Sequence, residues 1–399
     1  MKIVKLICVS DVNNNKYYDM VENSDGTFTA KYGRIGSTEQ IAKYSMQHWE
    51  KKYKEKIRKG YIDRTDVLLE KEETASNPII LDIDNKKIEA LVRQLQLYAT
   101  TSIQTNYKVS SNSVTLLQVN EAQSILNELI SLRKKESPNE INKALLQLYS
   151  VIPRRMGKVS DYLLDARIWD SAIFDELINS EQKTLDVMSG QVKIHTTTND
   201  SISTNKSLLD SMGISISEIT KEEVTNIQNL LGGNKSQFEY AFKVINNKRQ
   251  QDYDSCTITQ PNVQLLWHGS RNENWWSILE MGLLLRPTNV VTNGKMFGYG
   301  IYFADKAQKS IGYSSLQGSY WSRGSDNNAF LALFSVKLGN QLHVHKYQTW
   351  CSLLNEHSLK QQGDYHSLFA HGGVDLRNNE FIIYNQNQTT ISYVVAIHN

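Results

Sequence analysis

The sequence predicts a multidomain α+β protein: a small α/β unit over residues 1–78, an all-α helical bundle over 84–195, and a mixed α/β domain with antiparallel sheets over 208–399. Three observations lead there. A chain of 399 residues has room for two or three separate cores. The apolar pattern is strand-like near the N-terminus, helical in the middle, and made of short buried-strand runs towards the C-terminus. Between the last two regions lies HTTTNDSISTNKS (195–207), nearly free of large apolar side chains, which reads as a linker.

Composition narrows the class. At 40% hydrophobic and 22% charged, with five prolines, the chain reads as soluble and globular. Formal net charge is only +2, yet residues 1–60 hold twelve Lys and Arg against seven Asp and Glu. A local basic surface suits an anionic partner, of which nucleic acid is the commonest. Cys8, Cys256 and Cys351 are scattered and share no metal-ligand spacing with a histidine pair, so reduced thiols in an intracellular protein are expected, and no metal. MKIVKLICVS breaks its apolar residues with lysines, unlike a signal peptide, and no run of about 18 apolar residues offers a membrane span.

The elements follow in order. Lys2–Val9 is rich in β-branched residues, Asn13–Asn15 is a turn, and Lys16–Glu22 is a second strand. Asp25-Gly26 signals a hairpin into a third strand, Thr27–Ile35. Met46, Trp49, Tyr53 and Ile57 then share one helical face, expected to pack; Lys51, Lys52, Lys54, Lys56, Arg58 and Lys59 form a cationic face expected in solvent. Three helical stripes come next: Ile88, Leu91, Val92, Leu95 and Tyr98; Ala122, Ile125, Leu126, Leu129 and Ile130; Ile141, Leu145, Leu148 and Tyr149. Ser137-Pro138-Asn139-Glu140 has the pattern of a helix start, with Ser137 as N-cap and Glu140 closing a capping box. A later helix carries Ile173, Phe174, Leu177, Ile178, Leu185 and Met188. Beyond the linker, AFLALFSV and EFIIYN read as buried strands.

Chemistry concentrates between Leu265 and Ser315. His268-Gly269-Ser270 ends an apolar strand with a glycine that allows close approach and a hydroxyl beside it. Gly298, Gly300, Tyr302, Phe303 and Tyr313 set aromatic faces beside permissive backbone, which is what a pocket for a flat heteroaromatic ring requires. The same residues would also suit an ordinary core. Gly298-Tyr299-Gly300 lacks the third glycine and the strand–turn–helix setting of a dinucleotide fingerprint, so hydride transfer on an ordinary Rossmann fold is disfavoured.

LLWHGSR, MFGYGIYFAD, KSIGYSS and, near the C-terminus, NNEFIIYNQNQTTISYVV closely resemble the catalytic domain of poly(ADP-ribose) polymerases, in the family's order, over roughly residues 215–399. The resemblance implies an enzyme that consumes NAD+, releases nicotinamide, and transfers and polymerises ADP-ribose onto proteins, itself included. By the same resemblance Gly269 and Ser270 hold the nicotinamide carboxamide, Tyr313 stacks on its ring, and Tyr302 lines the other side. His268 bonds a ribose hydroxyl. Asn274, Gly300, Phe303, Ala304, Lys309 and Ser310 line the site, and Glu380 is the catalytic carboxylate, with His268 and Tyr302 completing the catalytic set. That set is the family's polymer-forming combination. Leu284 and Lys295 depart from the family's usual Arg and Tyr, Arg286 lies close by, and Asn340–Gly373 is short beside the usual donor and acceptor loops. Single-unit transfer, NAD+ hydrolysis and a non-catalytic nucleic-acid scaffold stand as alternatives.

Two further resemblances cover the rest. NKYYDMVENSDGTFTAKYGRIGST, with the basic helix and KGYIDRTD, looks like a WGR domain in which the name-giving triplet is Tyr32-Gly33-Arg34. This implies contact with DNA strand breaks through Tyr32, Gly33 and Arg34, joined by Lys51 and Lys54. LLQLYSVIP resembles the helical regulatory domain that precedes the catalytic domain in DNA-dependent members, which implies autoinhibition released by DNA. A monomer is expected, free of membranes, in the cytoplasm or nucleoid of a bacterium or the nucleus of a eukaryote.

Overall fold

The computed structural model describes residues 1–65, 68, 83–202, 207–285 and 296–399. Contacts group the chain into two units, residues 1–78 with 100–195 and residues 79–99 with 196–399.

In the first unit, strands β1 (Ile3–Ser10), β2 (Asn14–Glu22), β3 (Thr27–Arg34), β4 (Gln40–Ser45) and β5 (Ile62–Asp63) form one antiparallel sheet in the order β4-β3-β2-β1-β5. The β2–β3 turn uses Gly26 at φ 76°, a left-handed conformation that glycine adopts cheaply. Helix α1 (Trp49–Arg58) lies on this sheet, with Trp49 buried edge-on against Phe28 at 5.1 Å between ring centres. Strands β4 and β5 had no counterpart in the sequence reading. β4 is an edge strand with no buried residue, so it leaves no apolar alternation to detect. The α1 faces also differ from expectation. Ile57 is exposed, while Lys56 is half-buried with its ammonium 4.0 Å above the Tyr18 ring. Its long stem lets the charge rest on an aromatic face, where burial lowers its pKa.

Helices α2 (Lys86–Asn106), α3 (Leu116–Leu132), α4 (Pro138–Val151) and α5 (Ser171–Ile202) follow. The predicted stripes are their buried faces, with Leu91, Val92, Leu95, Leu126, Leu129, Ile141, Leu145, Phe174 and Met188 among the most enclosed residues, except that Ile173 at the start of α5 is exposed. Three details depart from the sequence reading. Ser137 is the N-cap of α4 but its side chain makes no capping bond, and Glu140 pairs with Lys135 at 3.2 Å instead. A capping box forms one helix earlier: Thr115 Oγ1 accepts from Gln118 N–H, and the Gln118 side chain accepts from Thr115 N–H. Helix α5 also runs on to Ile202, so the helical backbone enters the stretch read as a linker. A helix already nucleated on a buried face adds turns cheaply, even through polar sequence.

The second unit has two sheets. Strands β6 (Ile214–Glu218), β7 (Phe238–Asn246), β8 (Val263–Gly269), β10 (Asn328–Lys337) and β14 (Thr389–His398) form an antiparallel sheet in the order β6-β7-β14-β10-β8. Strands β9 (Ile301–Phe303), β11 (Gln341–Val344), β12 (Ser367–Ala370) and β13 (Glu380–Ile383) form another in the order β11-β12-β13-β9, with only the β11–β12 pair parallel. AFLALFSV is β10, almost wholly buried, and EFII is β13, wholly so. The sheets are joined where Trp267 and Ala304 exchange backbone hydrogen bonds of 2.8 and 3.0 Å. That junction sets the residue after Trp267 beside the residues before Ala304. Five short helices cover this unit's surfaces and ends: α6 (Leu208–Ser211), α7 (Lys221–Leu231), α8 (Asn247–Ser255), α9 (Trp275–Met281) and α10 (Ala307–Ile311); α11 (Glu356–Gln362) follows β11. No described helix is long and apolar enough to cross a membrane.

Candidate active site

His268 and Gly269 close β8, where apolar Leu265, Leu266 and Trp267 anchor the strand against β10. The His268 Nδ1 lies 3.0 Å from the Tyr302 carbonyl oxygen. A carbonyl only accepts, so Nδ1 carries the proton in this contact and the ring orientation is set by β9. Phe303 and Phe334 pack their rings against the imidazole at 5.9 and 6.0 Å between centres.

Gly269 is required by space. A Cβ there would lie 1.9 Å from the Ser310 carbonyl oxygen, so the strand end and the C-terminal end of α10 approach to backbone contact. Ser270 follows, its hydroxyl accepting a 3.0 Å hydrogen bond from the Asn274 amide. Gly298 and Gly300 play the same spatial part beneath Tyr302. Gly298 sits at φ 71° with the Leu354 backbone where a Cβ would be, and a Cβ on Gly300 would strike Ile382. The Tyr302 hydroxyl donates to Gly298 O at 2.8 Å and accepts from Phe297 N–H at 3.2 Å, which fixes the ring.

Glu380 begins β13, opposite Ala370 of β12, and is buried. Its Oε1 accepts a hydrogen bond from the Lys309 ammonium, carried there by α10. Two phenols feel this carboxylate. Burial first, and the Glu380 charge second, push the Tyr302 hydroxyl well above the usual tyrosine range, and the same two causes push Tyr313 to about 12. Both phenols therefore stay neutral at ordinary pH. Tyr313 follows α10 and is 42% exposed, at the edge of this group of side chains.

These contacts join the sequence-predicted residues in pairs: His268 with Tyr302 and Phe303, Gly269 with Ser310, Ser270 with Asn274, Lys309 with Glu380, and Ala304 with the strand that bears His268. Leu284 is described, whereas Arg286 and Lys295 lie outside the described residues. Among the described residues no cluster of three His, Cys, Asp or Glu is arranged to hold a metal. Sequence reasoning missed Phe334, hidden in a run that reads as plain core, and Trp321, whose indole lies nearly parallel to Tyr313. An aromatic pair, Tyr320-Trp321, in an otherwise polar loop was the available signal for the latter.

In the first unit, Tyr32, Gly33 and Arg34 end β3. Tyr32 packs on Tyr18 at 5.4 Å. The Arg34 guanidinium donates to Asn13 O at 2.7 Å, Asn13 Oδ1 at 3.0 Å and Gly157 O at 2.6 Å. Lys51 and Lys54 are exposed on α1.

Residues 217–399 match the family described as Poly(ADP-ribose) polymerase catalytic domain. The chain is 32% identical over 189 residues to "Putative poly(ADP-ribose) polymerase-like 100L" of Invertebrate iridescent virus 6, covering 44% of this chain and 97% of that protein. A second protein of the same virus, "Uncharacterized protein 101L", is 31% identical over 198 residues, 50% of this chain and 81% of that one. Poly(ADP-ribose) polymerase 1 of Danio rerio is 24% identical over 426 residues; the alignment takes in 96% of this chain but only 40% of the fish protein.

Proposed function

Because the chain belongs to the poly(ADP-ribose) polymerase family, and is thus an ADP-ribosyltransferase with NAD+ as its substrate, we propose that it builds ADP-ribose polymers on proteins, itself included, in response to DNA strand breaks. The observation that carries the catalytic part is the buried Glu380 carboxylate, held by Lys309 and felt by both Tyr302 and Tyr313.

Breaking the nicotinamide–ribose bond develops positive charge on the sugar, in a transition state akin to that of glycoside cleavage. In NAD+ the positive charge sits on the nicotinamide ring, and cleavage moves it onto the sugar; a carboxylate fixed beside the sugar stabilises it more there than in the ground state, which lowers the barrier. Glu380 has this role, and it also accepts the proton from an incoming hydroxyl. Lys309 positions the carboxylate. Tyr302 and Tyr313, as neutral phenols, supply apolar faces to the departing ring, while the Gly269 backbone and the Ser270 hydroxyl supply hydrogen bonds to its carboxamide. His268, oriented through Tyr302 O, meets a ribose hydroxyl. Nicotinamide leaves neutral, so no strong acid is required.

The first unit is read as the DNA sensor. Lys51 and Lys54 on α1 offer exposed cations for phosphates, and the resemblance of Tyr32-Gly33-Arg34, at the end of β3, to the WGR triplet supports this reading. The helices restrain the transferase until DNA binds.

One assay tests both halves. Wild type and Glu380→Gln are incubated with labelled NAD+, with and without nicked DNA, and products are sized on a gel. Wild type should make polymer, and more of it with DNA. Glu380→Gln should lower turnover about 100- to 1000-fold, the range for losing one preorganised electrostatic contact, while still binding NAD+. Undiminished polymer from the variant rejects the role of Glu380. Turnover indifferent to DNA rejects the sensor.

A further inference from the structure

We propose that Trp321 is a positioning residue of the nicotinamide slot, acting through Tyr313. The inference rests on the assignment of Tyr313 to that slot. The two rings lie 6.1 Å apart between centres at an interplanar angle of 16°, an offset stack. Tyr320 adds a second ring edge-on to the indole at 4.7 Å and 90°. Tyr313, Tyr320 and Trp321 are 42%, 76% and 63% exposed, so their grouping is not explained by burial in the core.

The loop that carries these rings is held at many points. Trp321 N–H and Ser322 N–H both donate to Gly312 O, at 2.9 and 3.2 Å. A Cβ on Gly312 would come within 3.2 Å of Trp321 Cδ1, so this glycine leaves the indole its seat. The Ser322 hydroxyl donates to Ser314 O, and Arg271, next to Ser270, donates to Ser322 O at 3.0 Å. At the far end, Asp326 N–H donates to Ser315 O at 3.0 Å, and Asn272 reaches both Ser315 Oγ and Asp326 Oδ2. The loop backbone that carries the indole is therefore tied to the backbone on either side of Tyr313 and to the segment that follows Gly269.

A phenol ring turns about two side-chain bonds, and each alternative pose dilutes the one that meets a ligand. An indole fixed against one face removes most of those poses and leaves the opposite face for a flat ring. The gain is preorganisation: tighter capture of the nicotinamide end of NAD+ without a direct contact to the scissile bond. A pair of this kind is worth about 0.5–1.5 kcal/mol, which converts to about a two- to tenfold change in affinity.

Steady-state kinetics on the full chain test this with Trp321→Ala, Trp321→Phe and Tyr313→Ala. Trp321→Ala should raise KM for NAD+ about three- to tenfold with kcat within about twofold, the pattern of lost uniform binding, and Trp321→Phe should recover most of it. Titration with nicotinamide should quench the fluorescence of wild type more than that of Trp321→Phe. If Tyr313→Ala raises KM and Trp321→Ala does not, the positioning role is overturned and the slot survives. If neither variant moves KM, the slot assignment falls and the inference with it. A lower KM for Trp321→Ala would mean that the indole occupies the ligand's own place, which also overturns the proposal.

Discussion

Arg154–Glu181 in the first unit and Lys309–Glu380 in the second are both ion pairs withdrawn from bulk water, yet their surroundings differ. Arg154 and Glu181 are 6% and 4% exposed, with Tyr107 and Tyr149 rings 4.9 and 5.8 Å from the guanidinium carbon. The Arg154 carbonyl is taken by the Asn15 amide at 2.9 Å. Tyr107 and Tyr149 are themselves buried, so the pair sits within a core. Lys309 and Glu380 are 15% and 9% exposed, and Tyr313 beside them opens to solvent. A carboxylate in such a place can trade its partner for a ligand. One chemical motif is thus sealed in the first unit and lies beside an exposed phenol in the second, the setting that the proposed chemistry of Glu380 needs.

The largest expected effect comes from breaking the sealed pair. Glu181→Ala leaves Arg154 buried and uncompensated, which costs about 3–5 kcal/mol of local stability. Hydrogen–deuterium exchange over α5 should accelerate accordingly, while Glu380→Gln should leave exchange over β13 nearly unchanged. Equal acceleration in both variants would erase the distinction between a structural and a functional pair. A smaller effect is expected at Gly269→Ala. The added methyl meets the Ser310 carbonyl, so strand end and helix must part, at about 1–3 kcal/mol by the usual cost of overpacking. Because Ser310 lies between Lys309 and the Tyr313 turn, the same shift should raise KM for NAD+. A variant that is destabilised with unaltered KM would assign Gly269 to packing alone.

How far the sequence disclosed this arrangement depended on what each residue type signals. Buried strands and helical stripes were legible because burial imposes a period, as in AFLALFSV and in Leu126, Leu129 and Ile130. Strand β4 was not, since it is a short edge strand with no fully buried residue, in which only Ala42 and Tyr44 are half-buried. The Ser137 cap was misjudged because a capping pattern states which residues are able to bond, and Glu140 found Lys135 instead. In the candidate site, His268, Tyr302 and Glu380 came from a resemblance; composition and spacing alone left Tyr302 and Phe303 open to being ordinary core. Trp321 stayed unread because contact across a loop has no period.

The two regions also reach one and the same phenol behaviour by opposite balances, which supplies the gentlest test. Burial pushes Tyr107 up to about 12 while the Arg154 charge pulls it down. Burial also pushes Tyr313 up to about 12, but there the Glu380 charge adds to the push. In both cases the folded value lies above the ordinary tyrosine value of about 10, so folding favours the protonated form. The stabilisation is complete below pH 10 and is lost as pH rises from 10 through 12. Removing the negative charge with Glu380→Gln should move the Tyr313 titration downward and leave Tyr107 where it is, so the alkaline loss due to this ring still begins at about pH 10 but is smaller and ends at a lower pH. Phenolate absorbance compared between Glu380→Gln and Glu380→Gln/Tyr313→Phe isolates the one ring. A Tyr313 titration indifferent to Glu380 would mean that the carboxylate is screened from the slot, and the comparison of open and sealed pairs would lose its electrostatic basis.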